Sequence, residues 1–258
     1  MGNTKIIAVC GKGGVGKTSF SALLVKQLAK KKDKKILAID ADPAVGLAMA
    51  LGMPVRTTVD DIRRGVIGQI QKGIAQSGKD LSAQLDYEVF DALEQHDGIA
   101  LLAIGRPEDE GCFCKVNNLL KDIILDLAEK FDIIVIDGEA GVEQINRRVM
   151  KKVDHLVLVS DTSAKAINVT NTIAHVAADN RAVDFSNMGL ILNRVREESE
   201  VEDIKTRTKL PIYGWISEDD LIRDFDFRAQ PLTTVPEGAA ALKVVSAIIG
   251  RMNIDSDS

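Results

Sequence analysis

The sequence has no run of eighteen apolar residues, which leaves out a membrane-spanning helix. Its first residues, Met1-Gly2-Asn3-Thr4, lack the basic and apolar stretches of a signal peptide and lead at once into a strand-like run. Cysteine is scarce, and three in 258 residues do not make a disulfide framework. A cytoplasmic protein is expected. Positive charge is short as well: the formal net charge is −5, whereas binding to a phosphate backbone needs clustered cations. The one basic cluster, Lys30 to Lys35, has Asp33 inside it and falls where a helix should end, so its cations suit the helix C-terminus. Neither a nucleic-acid partner nor a membrane is expected. Repeats, low-complexity segments and Pro/Gly/Ser linkers are missing too. Residues 1–258 therefore read as a single domain with a polar, disordered tail at 253–258, and 45% apolar residues suffice for one substantial core.

What is present is a regular alternation of short apolar runs and helical patterns, the mark of a doubly wound, mostly parallel α/β sheet with helices on both faces. Strands are predicted at Lys5–Val9, Ile36–Ile39, Ala100–Ile104, Ile133–Ile136, Leu156–Val159 and Gly189–Leu192, with a seventh near Ile212–Trp215. Helices are predicted at Thr18–Lys31, Asn117–Lys130, Gln144–Met150, Ser163–Asp179 and Gly238–Met252. The stretch Val59 to Leu93 reads as helical with interruptions at Gly65, Gly68, Gly73 and Gly78. Ligands of such sheets bind beyond the carboxyl ends of the strands, where every motif described next falls.

The first predicted strand runs into Gly11-Lys12-Gly13-Gly14-Val15-Gly16-Lys17-Thr18-Ser19, a match to G-x-x-x-x-G-K-[ST] followed by an amphipathic helix. Glycine-rich backbone N–H groups and a helix N-terminus together cradle phosphate, so Gly13, Gly14, Val15, Gly16, Lys17, Thr18 and Ser19 are candidate nucleotide-binding residues. Lys17 is placed to reach the β- and γ-phosphates and the Thr18 hydroxyl to ligate Mg²⁺. Two acidic strand ends accompany this loop. Ile36–Ile39 runs into Asp40-Ala41-Asp42-Pro43, and Ile133–Ile136 runs into Asp137, a Walker B carboxylate that holds Mg²⁺ through a water.

The second lysine narrows the class. The pattern K-G-G-x-G-K-[ST], with Lys12 and Lys17, resembles the deviant Walker A motif of the MinD/ParA/nitrogenase-iron-protein superfamily of P-loop NTPases. That resemblance implies ATP and ADP as ligands and a nucleotide-dependent homodimer in which Lys12 crosses to the partner's site. It further implies that Asp42 in switch I orients the attacking water, making Lys12, Lys17 and Asp42 the catalytic set. Asp40 is expected near Lys12 or Mg²⁺. Gly138-Glu139-Ala140-Gly141-Val142-Glu143 resembles switch II, whose glycines let the backbone swing. Asn193, after Leu190-Ile191-Leu192, matches the asparagine that reads the adenine edge, for which an amide has both donor and acceptor.

Cys112-Phe113-Cys114 chooses within the superfamily. One subunit's two thiolates cannot close a tetrahedral site, but two subunits on a two-fold axis supply four. Such donors suit zinc, or nickel if the geometry is square-planar. Cys10, inside the first strand, reads as a buried core residue. The cysteine pair and the sequence from Asp137 to Glu143 resemble the CooC-type ATPases, over Lys5 to about Leu232. The resemblance implies a dimer that binds one Ni²⁺ or Zn²⁺ between subunits and helps insert nickel into a client enzyme, carbon monoxide dehydrogenase or acetyl-CoA synthase. The rival families fit less well. No cysteine lies between Asp137 and Arg148, where an iron–sulfur reductase of this superfamily needs its second ligand. A MinD-like membrane helix is basic, whereas Val244–Ile249 is followed by an acidic tail.

Overall fold

The computed structural model describes residues 4–73, 78–106, 114–139, 149–150, 152–179 and 183–254. Its strands are β1 (Lys5–Gly11), β2 (Ile36–Asp40), β3 (Glu94–His96), β4 (Ile99–Ala103), β5 (Ile133–Asp137), β6 (Lys152–Ser160), β7 (Asp184–Val195) and β8 (Ile212–Ser217). They form one sheet in the order β3-β4-β2-β5-β1-β6-β7-β8, parallel throughout except for the β3–β4 edge pair. The described helices are α1 (Lys17–Ala29), α2 (Gly46–Leu51), α3 (Val59–Gln71), α4 (Gly78–Asp91), α5 (Cys114–Ala128), α6 (Ala164–Asp179), α7 (Glu198–Arg207), α8 (Asp220–Phe227) and α9 (Ala240–Arg251).

The sheet separates two hydrophobic cores. Along β1 the side chains alternate between them: Ile7 and Val9 pack with α1, α2 and α9, while Ala8 and Cys10 pack with residues of α3, α4, α5 and α6. A strand covered on both faces must be apolar at every position, which is why these runs read as continuous Ile, Val, Leu and Ala. Each fully buried Ile, Val or Leu contributes about 1.5–3 kcal/mol as an upper figure. That burial, rather than helix propensity, is what holds the helices to the sheet.

The expected α/β architecture is present, and several details differ. β3 is an antiparallel edge strand of Glu94, Gln95 and His96, too polar and too short to give an apolar signal. β6 and β7 extend well beyond their apolar centres because the two pair with each other from Lys152↔Asp184 to Ser160↔Leu192. Gly65 and Gly68 do not interrupt α3. Each costs about 1 kcal/mol in a helix interior. Burial of Val59, Ile62, Val66 and Ile67 and a capping box offset this, with Thr58 Oγ1 accepting from Asp61 N at 3.1 Å and Asp61 Oδ2 accepting from Thr58 N at 2.9 Å. Gly73, at φ +69°, follows the helix end. Of the helix expected at Gln144–Met150 only Val149 and Met150 are described, and both are buried. The expected tail starts too early: Ile254 is 3% exposed and joins the core beside α9. Among the described residues no helix is long and apolar enough to cross a membrane.

Candidate functional site

β1 delivers the chain to the phosphate loop, where Gly11, Gly14 and Gly16 all take a positive φ. Gly11 has φ +151°, and a Cβ there would lie 2.1 Å from the Val159 carbonyl oxygen on β6. Gly16 has φ +93°, and its Cβ would lie 2.2 Å from Asn193 Nδ2. At Gly13 and Gly14 a Cβ meets nothing within 4 Å, so the outer side of the loop is open space. α1 starts at Lys17, with no acidic residue in its first turn to compete for an anion.

Lys17 is only 7% exposed, and its Nζ donates to the Lys12 carbonyl oxygen at 3.2 Å. Thr18 Oγ1 donates to Asp137 Oδ2 at 2.7 Å, and Ser21 Oγ donates to Asp137 Oδ1 at 2.9 Å. Ser21 escaped sequence reading, although its spacing of three from Thr18 puts both on one helix face. Burial raises the Asp137 carboxyl to about 6, against the lowering effect of the two hydroxyl bonds and of Lys17. A hydroxyl beside a buried carboxylate is an oxygen donor set that fits a hard divalent ion such as Mg²⁺.

Asp40 lies beside Asp137 in strand register and also caps a helix. Its Oδ2 accepts from Leu47 N at 2.8 Å and Ala48 N at 3.2 Å, so it supplies the cap that α2 lacks at its own N-cap, Val45. Burial, aided by the neighbouring Asp137 charge, pushes the Asp40 carboxyl up to about 7. Asp42 Oδ1 accepts from Ala44 N at 2.9 Å, fixing a turn. The next residue, Val45, takes φ +51°, a strained value for a β-branched side chain. Gly46 then brings this segment against Thr18, a Cβ there lying 3.5 Å from Thr18 Cγ2. The two acidic strand ends and the phosphate loop therefore form one site.

Beyond β7 and β8 a cavity of about 290 Å³ opens beside the loop, lined by Gly16, Ser19, Asn193, Arg194 and residues of α8. Asn193 Nδ2 donates to the Val15 carbonyl oxygen at 2.8 Å, tying β7 to the loop. Sequence reading missed Arg194. It takes φ +59° at a register shift between β7 and β8, and its Nη1 donates to the Gly14 carbonyl oxygen at 3.1 Å. No sequence signal marks such a bulge. Cys10 is buried, its thiol pushed up to about 12 by desolvation. Cys112 and the switch II residues Ala140 to Glu143 lie outside the described residues, and Cys114 is the first residue of α5.

A parallel sheet, a glycine loop over open space and an acid–hydroxyl pair at the adjoining strand ends define a P-loop nucleotide-binding protein. Residues 6–232 match the CobQ/CobB/MinD/ParA nucleotide binding domain family. The chain belongs to that family and is an ATPase. It is 36% identical over 245 residues to an uncharacterized ATP-binding protein of Methanocaldococcus jannaschii, covering 94% of this chain and 96% of that protein. It is 31% identical over 215 residues to the carbon monoxide dehydrogenase accessory protein CooC of Rhodospirillum rubrum, covering 73% of this chain and 78% of that one. The fold is that of the septum site-determining protein MinD of Pyrococcus horikoshii, solved with Mg-ADP. That structure superposes with TM-score 0.68 at 21% identity over 97% of this chain and 96% of that one.

Proposed function

We propose that this ATPase is a homodimeric metallochaperone that carries a nickel or zinc ion between subunits at Cys112 and Cys114 and assists nickel insertion into carbon monoxide dehydrogenase. The observation that carries this reading is the likeness to CooC, in a chain whose C-x-C pair ends at the first residue of α5. Four thiolates, two from each subunit, complete the donor set that one subunit lacks.

In this reading ATP lies along Gly13, Gly14, Val15, Gly16, Lys17, Thr18 and Ser19, with its base in the cavity beside Asn193. Lys17 turns from the Lys12 carbonyl to the β- and γ-phosphates. Lys12 of each subunit serves the other's nucleotide, and the two ammonium groups stabilise charge that grows on the phosphoryl oxygens. Asp42 orients the water that attacks the γ-phosphorus, and ADP leaves. Thr18 and Asp137 are the groups that would hold Mg²⁺, which neutralises phosphate charge when bound. Loss of the γ-phosphate releases the segment from Asp42 to Gly46, where Val45 stores strain, and this changes how the two subunits present their cysteines.

A second reading, a surface-positioning ATPase, is favoured by the MinD-like fold. Here α9 turns Leu242, Val245, Ile248 and Ile249 into the core rather than outward. ATP turnover measured with anionic vesicles, with duplex DNA and with nickel-free carbon monoxide dehydrogenase separates the two. The metallochaperone reading requires ATP-dependent recovery of dehydrogenase activity, lost in Cys112→Ser. Stimulation by vesicles or DNA, with no effect of the cysteines, overturns it.

A further inference from the structure

We propose that the groove between α4 and α5 is a docking surface for a basic amphipathic helix of a partner protein. Among the described residues six large apolar side chains are exposed, and two of them, Tyr87 at 69% and Phe90 at 56%, line this groove. The core does not need them. Leu85 and Val89 from α4 and Ile123 and Leu127 from α5 already close this part of the sheet. Apolar groups left in water together, with a polar rim, mark a surface that a partner covers.

The shape and the charge specify the partner. A groove of about 300 Å³ runs between the helices, with Val89, Ile123 and Leu127 at its floor and Tyr87 and Phe90 at its wall. Grooves between two helices receive a third helix, whose apolar side chains at i, i+3 and i+4 become the anchors. Asp86 lines the groove on α4, and Asp122 and Asp126 stand exposed one turn apart on α5. Lys130 is the cation at the lining. An isologous contact between two copies would set these carboxylates against each other, and an anionic membrane would be repelled by them. Lysine and arginine flanking an apolar stripe complement the rim, which makes the encounter fast and salt-sensitive. The inference rests on the α4–α5 surface alone and stands even if the metal reading fails.

The test uses the full-length protein and a fluorescein-labelled peptide of about eighteen residues, built from leucine and lysine in helical register. A peptide of the same composition in scrambled order and a leucine–glutamate peptide serve as controls. The proposal predicts saturable binding of the helical lysine peptide alone. Affinity falls about tenfold in Phe90→Ser, as for an interface anchor. In Asp122→Asn/Asp126→Asn it weakens and its salt dependence flattens. Backbone amide protection should appear over residues 81–91 and 119–130. Melting temperature and ATP turnover, read alongside, stay unchanged because these side chains are exposed and outside the nucleotide site. Equal binding of the scrambled peptide, or protection elsewhere, overturns the proposal. So does self-association that Phe90→Ser abolishes, which would assign the groove to a second copy, or vesicle binding with the same sensitivity, which would assign it to a membrane.

Discussion

Asp40 and Asp137 end adjacent parallel strands in direct register, and both are fully buried. Burial holds each above the ordinary carboxylate range, and the neighbouring Asp137 charge adds to the rise at Asp40. Lys17 offsets part of the cost at Asp137, and the Leu47 and Ala48 N–H groups offset part at Asp40.

This pair sets a pH dependence for the nucleotide-free protein. Both folded-state values, about 7 for Asp40 and about 6 for Asp137, exceed the ordinary aspartate value of 3.8. The folded state therefore holds protons more tightly than the unfolded state, and that contribution to stability is complete below about pH 4. It declines as pH rises through 6 and 7. Urea midpoints in magnesium-free buffer should fall over this window, and Asp40→Asn should flatten the slope. A midpoint that rises steadily from pH 5 to pH 8 contradicts the assignment.

Asp40→Ala tests the cap separately. Removing the acceptor of the Leu47 and Ala48 N–H groups should cost about 1–2 kcal/mol. Amide exchange should speed up first in α2.

Gly11→Ala places a Cβ 2.1 Å from Val159 O and should cost on the order of 3 kcal/mol or more, lowering the yield of folded protein. Gly16→Ala acts elsewhere. It pushes Asn193 off the loop, so calorimetry should show ATP affinity lost before the fold is.

Lys12→Ala should lower kcat by about 10²–10³-fold, the range for removing one transition-state donor. Mixing it with Asp42→Asn checks the dimer model: a mixed dimer has one site with both residues intact, so part of the activity returns. No recovery on mixing means that Lys12 acts within its own subunit.

Cys10 should resist iodoacetamide at pH 8 in the folded protein and react only after denaturation, since burial keeps its thiol protonated. Mass spectrometry of the alkylated protein reads this directly.

How far the sequence carried depended on the kind of signal. The central strands and the phosphate loop were legible because double-sided burial demands unbroken apolar runs and glycine conformations demand glycine. Lys17, Thr18 and Asp137 came together as their motifs implied. β3, α7 and α8 were not legible, because edge and surface elements keep polar residues and are fixed by pairing and caps. Asp219, for instance, starts α8 by accepting from Leu221 N at 2.9 Å. Arg194 depends on a bulge created by strand register, and Asp40's role depends on where α2 lands, so both are properties of the tertiary structure.

The most direct test of the metallochaperone reading is anaerobic metal binding by the purified protein, by elemental analysis and ultraviolet thiolate-to-metal absorbance, with and without ATP. The account predicts one Ni²⁺ or Zn²⁺ per dimer, with occupancy that changes with nucleotide and is lost in both Cys112→Ser and Cys114→Ser while the fold persists. No stoichiometric metal in any nucleotide state, or metal retained by both variants, contradicts it.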